Sequence, residues 1–441
     1  MSATCCRRVA SVASSVASVA WSDGALCPGA GRAAPPEARA VRPAAWQALG
    51  QALGRLPHLP ARAAFYLQAS ITVSFLAGSS APTPLYALYQ GLWGFSSTML
   101  TLAFGIYALA VLATLLVAGR VSDHLGRRPV LMIALAAQVA AMAVLGRAGG
   151  LTDLLLGRVI QGLAVGAAVA AVGAGLLDLD KARGAVANSV APMLGTAAGG
   201  VIAGLMVQYL PAPLHLVYLA LAGVFVLQGL GVALMAETAP RQPGAWASLV
   251  PRLTVGTASR WPLWRAAPVL VAVWALAGFH ASLGPALLRQ LSRSNSIALG
   301  GVALFVLAGS GALSVLALHR QTPDALVRVG TWALLVGLSL SGLGVATHSV
   351  GGFLVGTAVA GIGFGSGFQG ALRSVVASSA THERAGILSA LFVVSYGAMG
   401  VPAVAAGYGL THGGDIVVTA GAFASAVMVL AVAALATSRG R

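Results

Sequence analysis

Charge is what this chain lacks most. Only 10 of its 441 residues are Asp or Glu, and charged residues of both signs make up 8%. A water-soluble protein of this length needs far more charge to cover its surface, so a soluble multidomain enzyme is excluded. Lys181 is the single lysine, and the other 25 basic residues are arginines. Cysteine occurs three times, as Cys5, Cys6 and Cys27, a number and spacing that give neither a disulfide framework nor a metal site. No Gly-rich phosphate loop with its lysine is present, and neither H-E-x-x-H nor G-x-S-x-G occurs. ATP-driven transport and hydrolytic chemistry therefore have no support, and the expectation is a non-enzyme without cofactor or metal. The net charge of +16 invites a nucleic-acid reading, but the arginines are scattered through short loops and form no stripe, so no nucleic-acid partner is expected.

Hydrophobic residues, by contrast, make up 58% of the chain, with a mean hydropathy of +0.87. A span needs about 20 apolar residues, and twelve such runs follow one another. They lie near 63–85, 97–118, 129–145, 154–177, 186–210, 214–235, 265–287, 297–318, 329–346, 350–372, 386–408 and 416–437. The reading is an all-α membrane protein of twelve transmembrane helices, with the lipid bilayer as its surroundings. Residues 1–62, rich in Ala, Ser, Arg and Pro, read as a disordered extension or as the product of a start codon placed too early; an organellar transit peptide is the lesser alternative. Residues 236–264 carry four prolines and three arginines, with Arg265 next in the chain, and read as a cytoplasmic linker, with few contacts expected across 241–259. The chain then divides into a six-helix half at 63–235, the linker, a second half at 265–437 and a short tail at 438–441.

Charge placement tests this topology. With both termini inside, 22 of the 26 basic residues fall in the tail, inner loops and linker. Outside lie Arg147, Arg289 and Arg293, while Arg158 falls within a span. This bias orients the protein with both termini cytoplasmic. The Arg-, Ala- and Gly-rich composition points to a bacterial inner membrane. An internal repeat appears at an offset of 201 residues: Asp123, Leu125 and Arg127 align with Asp324, Leu326 and Arg328, and Gly162 and Gly166 with Gly363 and Gly367.

The densest cluster of charge is at 119–131, reading G-R-V-S-D-H-L-G-R-R-P-V-L. Gly119 and Gly126 permit tight backbone turns, and Asp123 can pair with Arg127 or Arg128. The spacing G-x-x-x-D-x-x-G-R-R resembles the loop signature between the second and third spans of the major facilitator superfamily. In the fourth span, Arg158, Gln161 and Gly162 share one helix face and resemble the superfamily's R-x-x-Q-G signature, which implies a role in proton or substrate coupling. A charge at this depth must face the bundle interior, unless it snorkels to the outer surface. In the fifth span, Gly195, Gly199, Gly200 and Gly204 read as a helix-packing face. The stretch also resembles the antiporter motif G-P-x-x-G-G of drug exporters, with Thr196 in place of the proline.

No Asp or Glu falls within a span, so a neutral or anionic substrate fits better than a cation. His280, in the seventh span, is the remaining titratable candidate for coupling. Gln68, Gln138, Gln161, Gln228 and Gln369 offer polar groups to a cavity, with Tyr66, Tyr107 and Trp274 as stacking surfaces. The resemblance implies two six-helix halves around a central cavity and alternating access. The leading expectation is a secondary active, proton-linked exporter of a small organic molecule. Uptake of a neutral or anionic metabolite, or a non-transporting sensor or scaffold, are the alternatives. Asp123 sits among arginines at a span junction, where charged pairs can be made and broken, and is expected to hold the cytoplasmic gate closed when the cavity faces outward. Asp123→Asn should then insert normally and transport poorly; unchanged flux at normal membrane abundance removes the gating role.

Overall fold

In a bilayer no water is available to the backbone, so every amide must bond within its own segment, and helices follow. The computed structural model describes residues 58–250, 257–294, 296–378 and 384–438, and among them every long element is helical. The expected extension up to residue 57, linker residues 251–256 and tail residues 439–441 lie outside the described residues. Among the described residues eleven helices are long and apolar enough to span a membrane. In the first half α1 (Ala61–Ser80) is continued by α2 (Pro82–Trp93), and α3 (Ser97–Ala118) leads through the short α4 (Val121–Leu125) to α5 (Arg127–Gly146). Then come α6 (Leu151–Leu179), α7 (Lys181–Tyr209) and α8 (Pro213–Ala233). The second half holds α9 (Thr257–Ser282), α10 (Gly284–Ser292), α11 (Ile297–Leu318), α12 (Pro323–Ala346), α13 (Val350–Ala377), α14 (Arg384–Thr411) and α15 (Ile416–Ser438). The α1–α2 pair is the twelfth span. It misses the apolar count because Gln68, Thr72, Ser74 and Ser80 are buried in its length.

The ends of these helices are set by recognisable caps. Ser96, Asp180, Thr322 and Ser349 each accept a hydrogen bond from a backbone N–H in the first turn of α3, α7, α12 and α13. The first and seventh spans break after about 20 and 26 residues, ahead of a proline at the start of α2 and α10. Both breaks were missed in the sequence, because the apolar run continues through them. They obey the repeat: Pro84 in α2 and Pro285 in α10 are 201 residues apart. The seventh span also starts at Thr257, earlier than the expected residue 265, since Trp261, Pro262 and Trp264 are carried inside α9.

The halves meet at two helix pairs that the repeat interchanges, α3 with α14 and α7 with α11. The bundle end that carries the linker is here called the linker end. Hydrogen bonds between the halves sit at the opposite, far end. Thr98 Oγ1 donates to Thr411 Oγ1 at 2.8 Å. Gln208 Oε1 accepts from the backbone of Ile297 at 2.9 Å and of Ala298 at 3.4 Å. Small residues make this approach possible. A Cβ on Gly301 would overlap the Gly200 carbonyl, and one on Gly407 would overlap Thr101.

The linker differs from expectation. Residues 237–243 are fastened to the first half instead of spanning it loosely, and residues 257–264 continue into α9. Gln242 N–H donates to the His124 carbonyl at 2.9 Å, and His124 Nδ1 lies 3.1 Å from the Pro243 carbonyl. The physical reason is the set of unpaired backbone groups at the ends of α4 and α5, which the linker satisfies.

Valine at position 301 would be forced into the Gly200 backbone, and such overpacking costs about 1–3 kcal/mol. Gly301→Val should lower thermal stability in detergent and weaken a Thr98→Cys/Thr411→Cys cross-link. Gly309→Ala on the same helix, where a Cβ meets nothing within 4 Å, should behave as wild type. Equal behaviour of the two variants would refute the close-crossing argument.

Candidate functional site

Between the halves lies a cavity of about 160 Å³, walled by α1, α2, α3, α7, α9, α11, α13 and α14. Its lining is aromatic and apolar, with Phe104, Trp274, Phe364, Phe368 and Tyr396 prominent. Ser79, Thr83, Tyr107, Asn188, Ser189 and Thr196 supply the polar groups, and among the described residues no Arg, Lys, Asp, Glu or His side chain lines it. Trp274 is the hub of the second-half wall. Its ring meets Phe364 and Phe368 edge-on, at centroid distances of 6.3 and 5.4 Å, and Tyr396 at 5.3 Å. Its Nε1–H is buried without a hydrogen-bond partner among the described residues. Sequence reasoning picked Trp274 and Tyr107 but not Phe364, Phe368 or Tyr396, because an aromatic residue on a span does not reveal which face it is on.

Arg158 is 1% exposed and does not snorkel. A buried guanidinium costs several kcal/mol unless it is paired, and the structure supplies partners from three helices. Nη1 donates to the Ser79 carbonyl at 3.0 Å and to Gln161 Oε1, while Nε reaches the Ala103 carbonyl at 3.4 Å. The Tyr107 ring lies beneath the guanidinium at 4.0 Å. Gln161 in turn donates to the Gly78 carbonyl at 2.9 Å, and Tyr107 hydroxyl donates to Ser79 Oγ at 2.9 Å. Arg158 therefore stands behind the cavity wall, with Ser79 and Tyr107 between it and the open space. Ser79 was not singled out from the sequence; a serine in an apolar run carries no signal of its own. Gly162 lets α6 cross α3 closely, since a Cβ there would sit 2.7 Å from the Tyr107 carbonyl and hence disturb the same cluster.

The structure separates the other candidate residues. His280 does not join Arg158, Gln161 and Gly162: it lies in the second half, lines a different cavity, and stacks on Phe353 at 6.2 Å. The reason is helical phase, for Trp274, Ala277 and Ala281 occupy the face of α9 toward the central cavity. None of the five glutamines lines the central cavity. Gln228 accepts from Ser74 at 2.8 Å, and Gln68 donates to the Met235 sulfur at 3.4 Å, so these amides join helices within the first half. Tyr66 is 58% exposed on the outer surface. The fifth-span glycines divide into two faces. Gly195 and Gly199 press against Val73 and Ala77 of α1, while Gly200 and Gly204 press against Gly301 and Ala298 of α11.

At the linker end, Arg127 is 7% exposed and ion-pairs with Asp123 and with Asp178, the latter at 3.2 Å. Glu237, unnoticed in the sequence, caps α5: its carboxylate accepts from Arg127 N–H at 2.7 Å and Arg128 N–H at 3.1 Å. Gly126, at φ 98°, makes room for that carboxylate. Arg128 donates to the Ala233 carbonyl. Gly119 takes an ordinary helical φ of −57°, so it is needed for close approach to the Leu115 carbonyl and not for a left-handed turn.

Comparison with known proteins gives the family and the fold. The family model for the Major Facilitator Superfamily matches residues 68–404. The chain is 27% identical over 349 residues to multidrug resistance protein MdtL of Klebsiella pneumoniae (strain 342), covering 68% of this chain and 86% of that one. It is 28% identical over 286 residues to the tetracenomycin C resistance and export protein of Streptomyces glaucescens, covering 56% and 52%. Two crystal structures of the nucleoside transporter NupG share the fold, with TM-scores of 0.66 and 0.60. They are 13% and 15% identical, and cover 84% and 86% of this chain and 98% and 100% of theirs.

If Arg158 holds Ser79 and Tyr107 in place, its planar fork matters as well as its charge. Arg158→Lys should insert normally and transport at about one-tenth of the wild-type rate or less, from the loss of at least one charge-assisted hydrogen bond. Wild-type flux from Arg158→Lys at equal membrane abundance would overturn this positioning role.

Proposed function

The chain belongs to the Major Facilitator Superfamily and is a multi-pass membrane transporter, and on that premise we propose that it exports small, uncharged aromatic solutes in exchange for protons. The observation that carries the substrate class is the central cavity: an aromatic wall around Trp274, no ionisable Arg, Lys, Asp, Glu or His lining side chain, and one unpaired donor at Trp274 Nε1. A cavity of that kind stacks a flat ring system and rewards one acceptor oxygen on it. A charged solute would lose its hydration there without recovering it. Two relatives named for drug resistance or export support the efflux direction.

Alternating access follows from the repeat. The α3–α14 and α7–α11 pairs close the far end in this structure, and the 201-residue repeat relates the two pairs to each other. The arginine bias of the loops sets the linker end in the cytoplasm. The conformation is then one with the outer end closed, ready to load from the cytoplasm. In it Asp123 is paired within its own half, to Arg127, which is the arrangement expected when the inner gate is not engaged. No carboxylate lines the cavity, so proton coupling falls to the helix ends where Asp123, Asp178 and Glu237 gather around Arg127.

Purified protein in liposomes should move a neutral, planar fluorescent dye uphill when a pH gradient is imposed, and stop when an ionophore collapses it. Trp274→Ala should cut the initial rate about tenfold or more, whereas Trp274→Phe should keep the stacking and chiefly weaken dyes that carry an acceptor. Uphill transport that ignores the pH gradient would refute the coupling, and full activity of Trp274→Ala would refute the site.

A further inference from the structure

A second cavity, of about 200 Å³, lies inside the second half, on the opposite side of α9 from the central one. Its walls come from α9, α10, α12, α13 and α15, and are apolar except for His280 and Ser341. Its mouth lies between α12 and α15. There Gly342, Ala346 and Gly421 are exposed on the bundle surface, and a Cβ on Gly342 or Gly421 would meet nothing within 4 Å. These residues lie on two spans, within two turns of their far ends, so the mouth opens sideways between α12 and α15 near the outer edge of the bilayer.

Among the described residues His280 is the one ionisable side chain lining this cavity, and it is 5% exposed. Its Nδ1 lies 3.0 Å from the Leu276 carbonyl, one turn earlier in α9. A carbonyl can only accept, so Nδ1 carries the hydrogen. In the neutral imidazole Nε2 is then an acceptor, and it is buried with no partner among the described residues. A buried acceptor left unpaired in an apolar wall is costly. An apolar pocket with one unfilled acceptor, reached from the membrane, has the chemistry of a ligand site.

We propose that this cavity binds an amphiphile dissolved in the bilayer: an alkyl or aryl body with a single hydroxyl group, which donates its hydrogen to His280 Nε2. The body fills the space beside Phe279, Phe353 and Phe423, and the molecule enters between Gly342 and Gly421. The binding site is distinct from the central cavity, and the two share α9 as a common wall.

The test uses full-length protein in nanodiscs and a photoactivatable diazirine analogue of 1-decanol as probe. Labelled peptides should come from the mouth and walls, within α9, α12 and α15. Unlabelled 1-decanol should compete, and decyl methyl ether, which has no hydroxyl hydrogen, should compete at least about fivefold less well, the worth of one net hydrogen bond. Gly342→Leu, which fills open space at the mouth, should reduce labelling. His280→Phe should erase the preference for the alcohol over the ether, and His280→Gln, which keeps an acceptor, should restore it. Labelling confined to the central cavity, labelling unchanged in Gly342→Leu, or equal competition by alcohol and ether in the wild type would each overturn the proposal. None of these readouts depends on transport, so the exported-solute reading stands or falls separately.

Discussion

The backbone contact between Gly200 of α7 and Gly301 of α11 is where the two halves of this transporter are pressed together. Lipid tails are as apolar as leucine, so helices in a bilayer gain little from hiding apolar surface and depend on close van der Waals approach. Glycine at both sides of the crossing allows that approach. The repeat places a second crossing at α3–α14, where Gly407 meets Thr101. The two crossings fix the far end, and the space left between them is the central cavity. Because α7 uses Gly195 and Gly199 against α1, and Gly200 and Gly204 against α11, one helix ties the first half to itself and to its counterpart.

The polar interior is built without carboxylates. Arg158 is held by two backbone carbonyls, an amide oxygen and a tyrosine face. An ion pair would have brought a second charge out of water, with its own desolvation cost. Neutral acceptors avoid that cost and leave the site with a net positive charge one layer behind the wall. The same logic leaves the described lining of the cavity without an ionised side chain.

The linker end follows the opposite rule. There Asp123, Asp178 and Glu237 converge on Arg127 and the start of α5. These carboxylates lie at helix ends, where water lowers the cost of charge and a helix N-terminus rewards it. The linker contributes Glu237 to this cluster, so the segment that joins the halves is also a structural part of the first one. A movement that separates α4 from α5 would have to break the Asp123–Arg127 pair.

The sequence alone determined that the chain is a twelve-span helical membrane protein with a duplicated architecture. Those properties follow from local quantities: the length of apolar runs, the count of arginines in loops, and a 201-residue register of loop and span residues. The loop motif and the Arg158 motif were equally legible, since charge is rare enough here for any cluster to stand out. The tertiary structure decided which face of each span meets what. It put Trp274 in the central cavity and His280, less than two turns away, in another. It assigned the glutamines to packing within a half, broke the first and seventh spans, and brought Glu237 onto α5 from about 110 residues away in the sequence. The physical reason is that a span surrounded by lipid and other helices is apolar on every side. Its hydrophobic pattern has no preferred face, and only the packing of neighbours gives it one.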